Sequence, residues 1–172
     1  MADLRTRLRG AALGRRRCGL LASSGGQRLR ADGLGAELPH MDAGAVARWF
    51  LDRWPDIRAS DALEVAATEF SVQGLELDYA GLCWAGDLVR LPGRTAWLVR
   101  NLRGSSWQTP RGGEAIANRL NTYRVLLTRA RYETLIWVPA GDAADLTRRP
   151  GELDAVVKFL VACGLDAPET PG

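Results

Sequence analysis

Two stretches of this chain carry side chains suited to work on phosphates. The first is Asn121 to Arg131, NTYRVLLTRAR. At helical period Ile116, Leu120, Tyr123, Leu127 and Ala130 fall on one stripe, which predicts a face turned to a core. Arg129 then projects from the opposite side of the same helix. A guanidinium held on the free face of a docked helix can meet a polyphosphate through paired N–H donors. Taken alone, the string also reads as an amphipathic helix with solvated arginines. The second stretch is Thr68 to Glu76, TEFSVQGLE. Gly74 lets the backbone approach a ligand, and Gln73 and Glu76 set an amide and a carboxylate beside it. An amide suits phosphate oxygens, and a carboxylate suits a ribose hydroxyl. A plain turn ahead of a strand explains QGLE about as well. A third stretch, WLVRNLRGSSWQ, holds Arg100, Arg103 and Trp107. It reads as a basic, aromatic strand-binding patch or as a structural hairpin with one buried tryptophan.

What the chain lacks narrows the chemistry. His40 is the single histidine, which removes Ser-His-Asp and Cys-His catalysis and most metal sites. Cys18, Cys83 and Cys163 are far apart and odd in number, which suggests buried thiols in a reduced, cytoplasmic protein. Net charge is only +3, and among 23 basic residues Lys158 is the one lysine. A GC-rich genome explains part of that bias, yet arginine is also the side chain for bidentate phosphate contacts. No apolar run approaches the ~20 residues of a membrane helix. The basic start, MADLRTRLRGAALGRRR, is not followed by a long apolar segment or a small-residue cleavage site, so no signal peptide is expected; an organellar transit segment is the other reading.

The elements that must position these groups alternate between strand and helix. Leu4, Leu8, Ala11 and Ala12 predict a short amphipathic helix ending near Gly14. CGLLAS reads as a buried strand, followed by a Ser-Gly loop and a helical turn over Gln27 to Ala31 that begins with Arg28. Gly33, Gly35 and Pro39 mark loops, and AGAVARWFLDRW predicts a surface helix broken by Pro55, with Trp49, Phe50 and Trp54 capping a core edge. LEVAAT (63–68) and YAGLCW (79–84) read as buried strands without strict alternation, as in a parallel sheet covered on both faces. Residues 85–113 predict a hairpin or insertion, TLIWVP a further strand, and Pro150 to Cys163 a closing helix with Leu153, Val156, Val157, Leu160 and Val161 inward. The expected fold is an open α/β sheet.

In this order, LLASSGGQRLR, VAATEFSVQGLELD and NTYRVLLTRAR followed by a strand and VP resemble motifs IV, V and VI of superfamily 1 helicases. The chain is most similar to the family of DNA/RNA helicase domains related to Schlafen proteins, over roughly Arg16 to Leu165. The resemblance implies a RecA-like, P-loop NTPase-type second lobe, with a mostly parallel sheet flanked by helices. It implies that Arg129 is the arginine finger on the γ-phosphate of ATP, that Glu76 with Gly74 contacts the ribose, and that Gln73 and Arg28 lie near the nucleotide. Thr68 matches a threonine near the nucleic-acid backbone. Phe70 stands where better-known relatives have histidine, so no contact is carried over there. The first lobe of such motors supplies G-x-x-x-x-G-K-[ST] and an acidic pair for Mg²⁺, and this sequence holds neither the phosphate loop nor a second lysine.

Two functions follow. One is the C-terminal motor lobe of an ATP-dependent DNA/RNA helicase or translocase, a truncated or split product that supplies Arg129 and Glu76 in trans to a Walker-bearing lobe that brings the Mg²⁺. Such a lobe is expected to be inactive alone. The other is a stand-alone nucleic-acid or protein interaction module without catalysis, using Arg100, Arg103 and Trp107. The expected organisation is an N-terminal helix over 1–14, the lobe over 15–166 and a loose tail over 167–172. Ligands of open α/β sheets meet the carboxyl ends of strands. Arg28, Gln73, Glu76 and Arg129 are therefore expected on one edge, exposed, with Gly74 in a turn and Arg129 free of a carboxylate partner.

Overall fold

Every side chain of Cys18–Ala22 is buried, which an apolar strand without alternation achieves only when both faces of its sheet are covered. The computed structural model describes residues 1–34 and 41–167. Along them run α1 (Ala2–Ala11), β1 (Cys18–Ala22), a 3₁₀ turn (Gln27–Asp32), α2 (Ala43–Leu51), β2 (Ala66–Ala67) and β3 (Leu77–Cys83). There follow β4 (Leu88–Arg90), β5 (Trp97–Val99), β6 (Asn101–Arg103), β7 (Ser106–Gln108), α3 (Glu114–Leu127), β8 (Ala130–Trp137) and α4 (Pro150–Ala162). The main sheet has the order β2-β1-β3-β8 with all neighbours parallel. β4 pairs with β5 and β6 with β7 as antiparallel ribbons, the expected hairpin region. Gly35, Pro39 and His40, and the tail beyond residue 167, lie outside the described residues.

The two cores follow from strand alternation. Cys18, Leu20 and Ala22 of β1 and Cys83 of β3 face one side, where Leu4 and Leu8 of α1 cover them. A Cβ on Gly81 would stand 2.7 Å from Leu8 Cδ1, so the close approach of α1 requires glycine there. Leu21, Ala80 and Leu82 face the other side, against Trp49, Tyr123, Leu126, Leu153, Val156 and Leu160. Gly19 meets the same need for Trp49, whose Cζ2 would lie 2.9 Å from an added Cβ. Trp49 caps the core as expected, whereas Trp54 is exposed.

Four expectations need correction. LEVAAT forms sheet only at Ala66–Ala67, because a 3₁₀ turn over Ser60–Ala62 ends with Leu63 in the left-handed region, at φ 60°. In α3 the inward residues are Tyr123 and Leu126, while Ile116 and Leu127 are 43% and 37% exposed. Arg119, one turn before Tyr123 and off the expected stripe, also turns inward, where a buried carboxylate receives it. The helix also stops at Leu127. The Thr128 hydroxyl turns back to the carbonyls of Arg124 and Val125, each at 3.0 Å, and satisfies acceptors left over at the helix end. Arg129 therefore lies in the turn between α3 and β8, not on the free face of a helix. In α4, Leu153, Val156 and Leu160 are buried, whereas Val157, Lys158 and Val161 face outward.

Candidate functional site

At the amino ends of β3 and β8 the two phosphate-suited stretches meet. The Leu77 amide donates to the Arg129 carbonyl at 2.8 Å, so the last residue of QGLE and the arginine of TRAR flank one backbone bond. Upstream, the Ser71 and Val72 amides both donate to the Thr68 carbonyl and the Leu75 amide to that of Val72, which winds 68–75 into turns. Gly74 sits there at φ 75°, with no atom within 4 Å of an added Cβ, as the expected turn requires. Gln73 is exposed. Glu76 accepts from Arg131 Nε at 3.0 Å, and both side chains remain more than half exposed. Arg129 donates to the Val125 carbonyl and the Thr128 hydroxyl at 3.0 and 3.1 Å. Among the described residues no carboxylate forms an ion pair with it. Gln73, Gly74, Glu76 and Arg129 thus share the amino edge of the sheet, whereas the carboxyl edge was expected.

Arg28 does not join them. It lies beyond the carboxyl end of β1 and is 9% exposed. Its guanidinium donates to Thr147 Oγ1 at 2.6 Å and pairs with Asp145 at 2.8 Å and Asp32 at 3.4 Å. Hydrogen bonds from Thr147, then from Arg28, hold the Asp145 carboxyl far below the usual carboxylate range. The expected exposure of Arg28 is corrected: the 3₁₀ turn and the segment after β8 close around it. Thr68 is also inside, 1% exposed with its hydroxyl 3.4 Å from that of Ser71.

The carboxyl edge carries a polar network that sequence reasoning missed. Asp87, with no exposed surface, accepts from Ser23 Oγ at 2.7 Å and Tyr123 Oη at 2.6 Å, and pairs with Arg119 at 2.7 Å. Burial, then the charge of Asp87, pushes the Tyr123 phenol well above its ordinary value, so it remains a donor. Glu69 accepts from the Ser24 amide and hydroxyl at 2.9 and 2.6 Å and from Thr122 at 3.2 Å. A cleft of about 430 Å³ opens above this network, lined by Ser24, Gly25, Gln27, Asn101, Arg103 and Arg119.

The hairpin patch is divided. Arg103 is exposed. Arg100 is 4% exposed, donates to Glu152 and lies over the Trp107 ring at 4.3 Å. The Trp107 indole N–H donates to the Thr147 carbonyl at 2.8 Å. Arg100 and Trp107 therefore anchor the hairpin, Arg100 buried and Trp107 partly so, while Arg103 is exposed.

A parallel α/β sheet flanked by helices, with two phosphate-suited motifs joined at one edge, defines a RecA-like protein. The family of the Schlafen group 3, DNA/RNA helicase domain matches residues 1–140, and the chain belongs to it. No curated protein and no solved structure matches the chain. Membership supports a helicase-related role with nucleic acid. No helix among the described residues is long and apolar enough to cross a membrane.

Proposed function

We propose that this chain acts as the second motor lobe of an ATP-dependent DNA/RNA helicase or translocase. The observation that carries the reading is the junction of Glu76 and Arg129 across the Leu77–Arg129 backbone bond. The residues present there suit a nucleotide: Gly74 leaves open space at its α-carbon, Glu76 keeps half its side chain in solvent, and among the described residues no carboxylate pairs with Arg129. ATP with Mg²⁺, held by a Walker-bearing lobe, would supply the transferable phosphoryl group. Glu76 accepts from the ribose, Gln73 donates to phosphate oxygens, and Arg129 offers its guanidinium to charge that develops on the γ-phosphate. In the chain itself the Glu76 carboxylate is paired with Arg131 at 3.0 Å.

Because the sequence has no phosphate loop, the chain alone is expected to release no phosphate from ATP above background, with or without nucleic acid. A phosphate-release assay on the purified chain, then on its mixture with a Walker-bearing first lobe of the same family, tests this. Turnover only in the mixture supports the reading. Turnover by the chain alone that survives stringent purification would remove it and leave another catalytic site to be found.

A further inference from the structure

We propose that the recess beside Glu69 binds a small zwitterion, an aliphatic α-amino acid, with its ammonium on Glu69 and its carboxylate toward Arg119 and Arg103. The site needs neither ATP nor a second lobe, so it stands apart from the motor reading.

Glu69 is where the chemistry is incomplete. Its carboxylate is 7% exposed and accepts only from neutral groups: the Ser24 amide and hydroxyl at 2.9 and 2.6 Å and the Thr122 hydroxyl at 3.2 Å. Among the described residues no arginine or lysine forms an ion pair with it. Two other buried carboxylates of the chain each have a guanidinium, Asp87 that of Arg119 and Glu152 that of Arg100. A buried anion without a counter-charge is costly, and a cation arriving from outside offsets that cost. Glu69 also faces open space, lining a recess of about 190 Å³, room for roughly six waters. Such a volume is too small for a nucleotide and suits a compact ammonium compound.

The opposite wall fixes the other end of the ligand. Arg119 lines the same recess, and successive serines set the two charges side by side. Ser24 Oγ donates to Glu69 at 2.6 Å, and Arg119 donates to Ser23 Oγ at 2.6 Å. The Arg119 guanidinium is held by Asp87 at 2.7 Å and by Asn101 Oδ1 at 3.2 Å, and it remains partly exposed. At Ser24, Asn101 and Arg119 the recess joins the larger cleft of about 430 Å³, where Arg103 is exposed. A carboxylate at that junction meets one fixed and one exposed guanidinium, whose forked N–H donors suit it. Between the two charges Val99, Pro110 and Ala115 line the recess with carbon. An ammonium and a carboxylate on one carbon, with a short aliphatic side chain, match this order of groups. A lone anion would meet the charge of Glu69, and a lone cation that of Arg119. A charged side chain would find no partner on the apolar wall.

Isothermal titration calorimetry on the intact chain, with L-valine as the probe, tests the assignment. Saturable binding of L-valine is expected. Valinamide keeps the ammonium without the carboxylate, and isovalerate keeps the carboxylate without the ammonium. Each should bind about tenfold more weakly, or worse, because each loses one charge-assisted bond. Glu69→Gln keeps the shape of the side chain and removes its charge, and should weaken L-valine by about tenfold or more on the same ground. Arg103→Ala changes an exposed side chain, so circular dichroism should be unaltered. It is expected to weaken L-valine about threefold and to leave valinamide unaffected. No binding of L-valine by the folded wild-type chain would overturn the assignment. So would isovalerate binding as well as L-valine, or a folded Glu69→Gln chain that keeps wild-type affinity. Arg129→Ala should bind L-valine as the wild type does. A reconstituted pair without ATPase activity would remove the motor reading and leave the L-valine result standing.

Discussion

Tyr123 and Asp87 show how one buried pair can fix a site. The Asp87 carboxylate has three donors and no exposed surface, so each donor counts. Tyr123→Phe removes the phenol and keeps the ring, which packs on Trp84 with centroids 4.2 Å apart. A lost hydrogen bond to a charged, buried acceptor costs about 1.5–3 kcal/mol. A denaturant melt should show that loss, and an unchanged midpoint would mean that Asp87 is satisfied without Tyr123. Neither partner was legible in the sequence: Asp87 stands in an ordinary AGDLVR turn, and Tyr123 counted only as one apolar position of a stripe. Glu69 lay inside a stretch chosen for QGLE, four residues before Gln73, and drew no notice. Their meaning comes from contacts between residues 32 to 64 apart, which periodicity does not encode.

The elements were easier to read than their edges. β1, β3 and β8 appear where apolar runs predicted them, and α1 and α4 bury the expected leucines. What failed was the boundary between α3 and β8, since TRA continues a helical pattern while Thr128 caps the helix through its own hydroxyl. The choice of sheet edge failed for a related reason. Thr68 leaves the carboxyl end of β2, but the turns of 68–75 carry Gln73 and Glu76 back to the amino end of β3. The β6–β7 hairpin supplies an element-scale test. It is pinned by the Trp107 indole on the Thr147 carbonyl and by the Arg100 guanidinium over the ring. Trp107→Ala should therefore speed amide exchange over residues 101–108 and leave β3 protected. Hydrogen-exchange mass spectrometry resolves the two, and an unchanged hairpin would show that other contacts hold it.

For the whole molecule, the thiols make alkaline pH a probe of the packed sheet. Burial pushes Cys83 up to about 12, and burial with the nearby Asp61 charge pushes Cys18 to about 11, from 9.0. Above pH 9 the unfolded chain gives up thiol protons that the native chain keeps, so the thiols' contribution to stability should fall between about pH 9 and 12 and be level below that window. Melts across that range check it, and Cys18→Ser with Cys83→Ser should flatten the slope if the thiols cause it. The central claim is that the amino edge serves a nucleotide held by another lobe. The most direct measurement is phosphate release by the reconstituted pair with wild-type chain and with Arg129→Ala. Arg129 lies in a turn, and among the described residues its guanidinium is bonded only to its own helix end, so circular dichroism should show an intact fold. The account predicts a rate loss of ~10³–10⁵, the contribution of a guanidinium acting on transition-state charge. A folded Arg129→Ala chain that sustains wild-type turnover in the pair would contradict it.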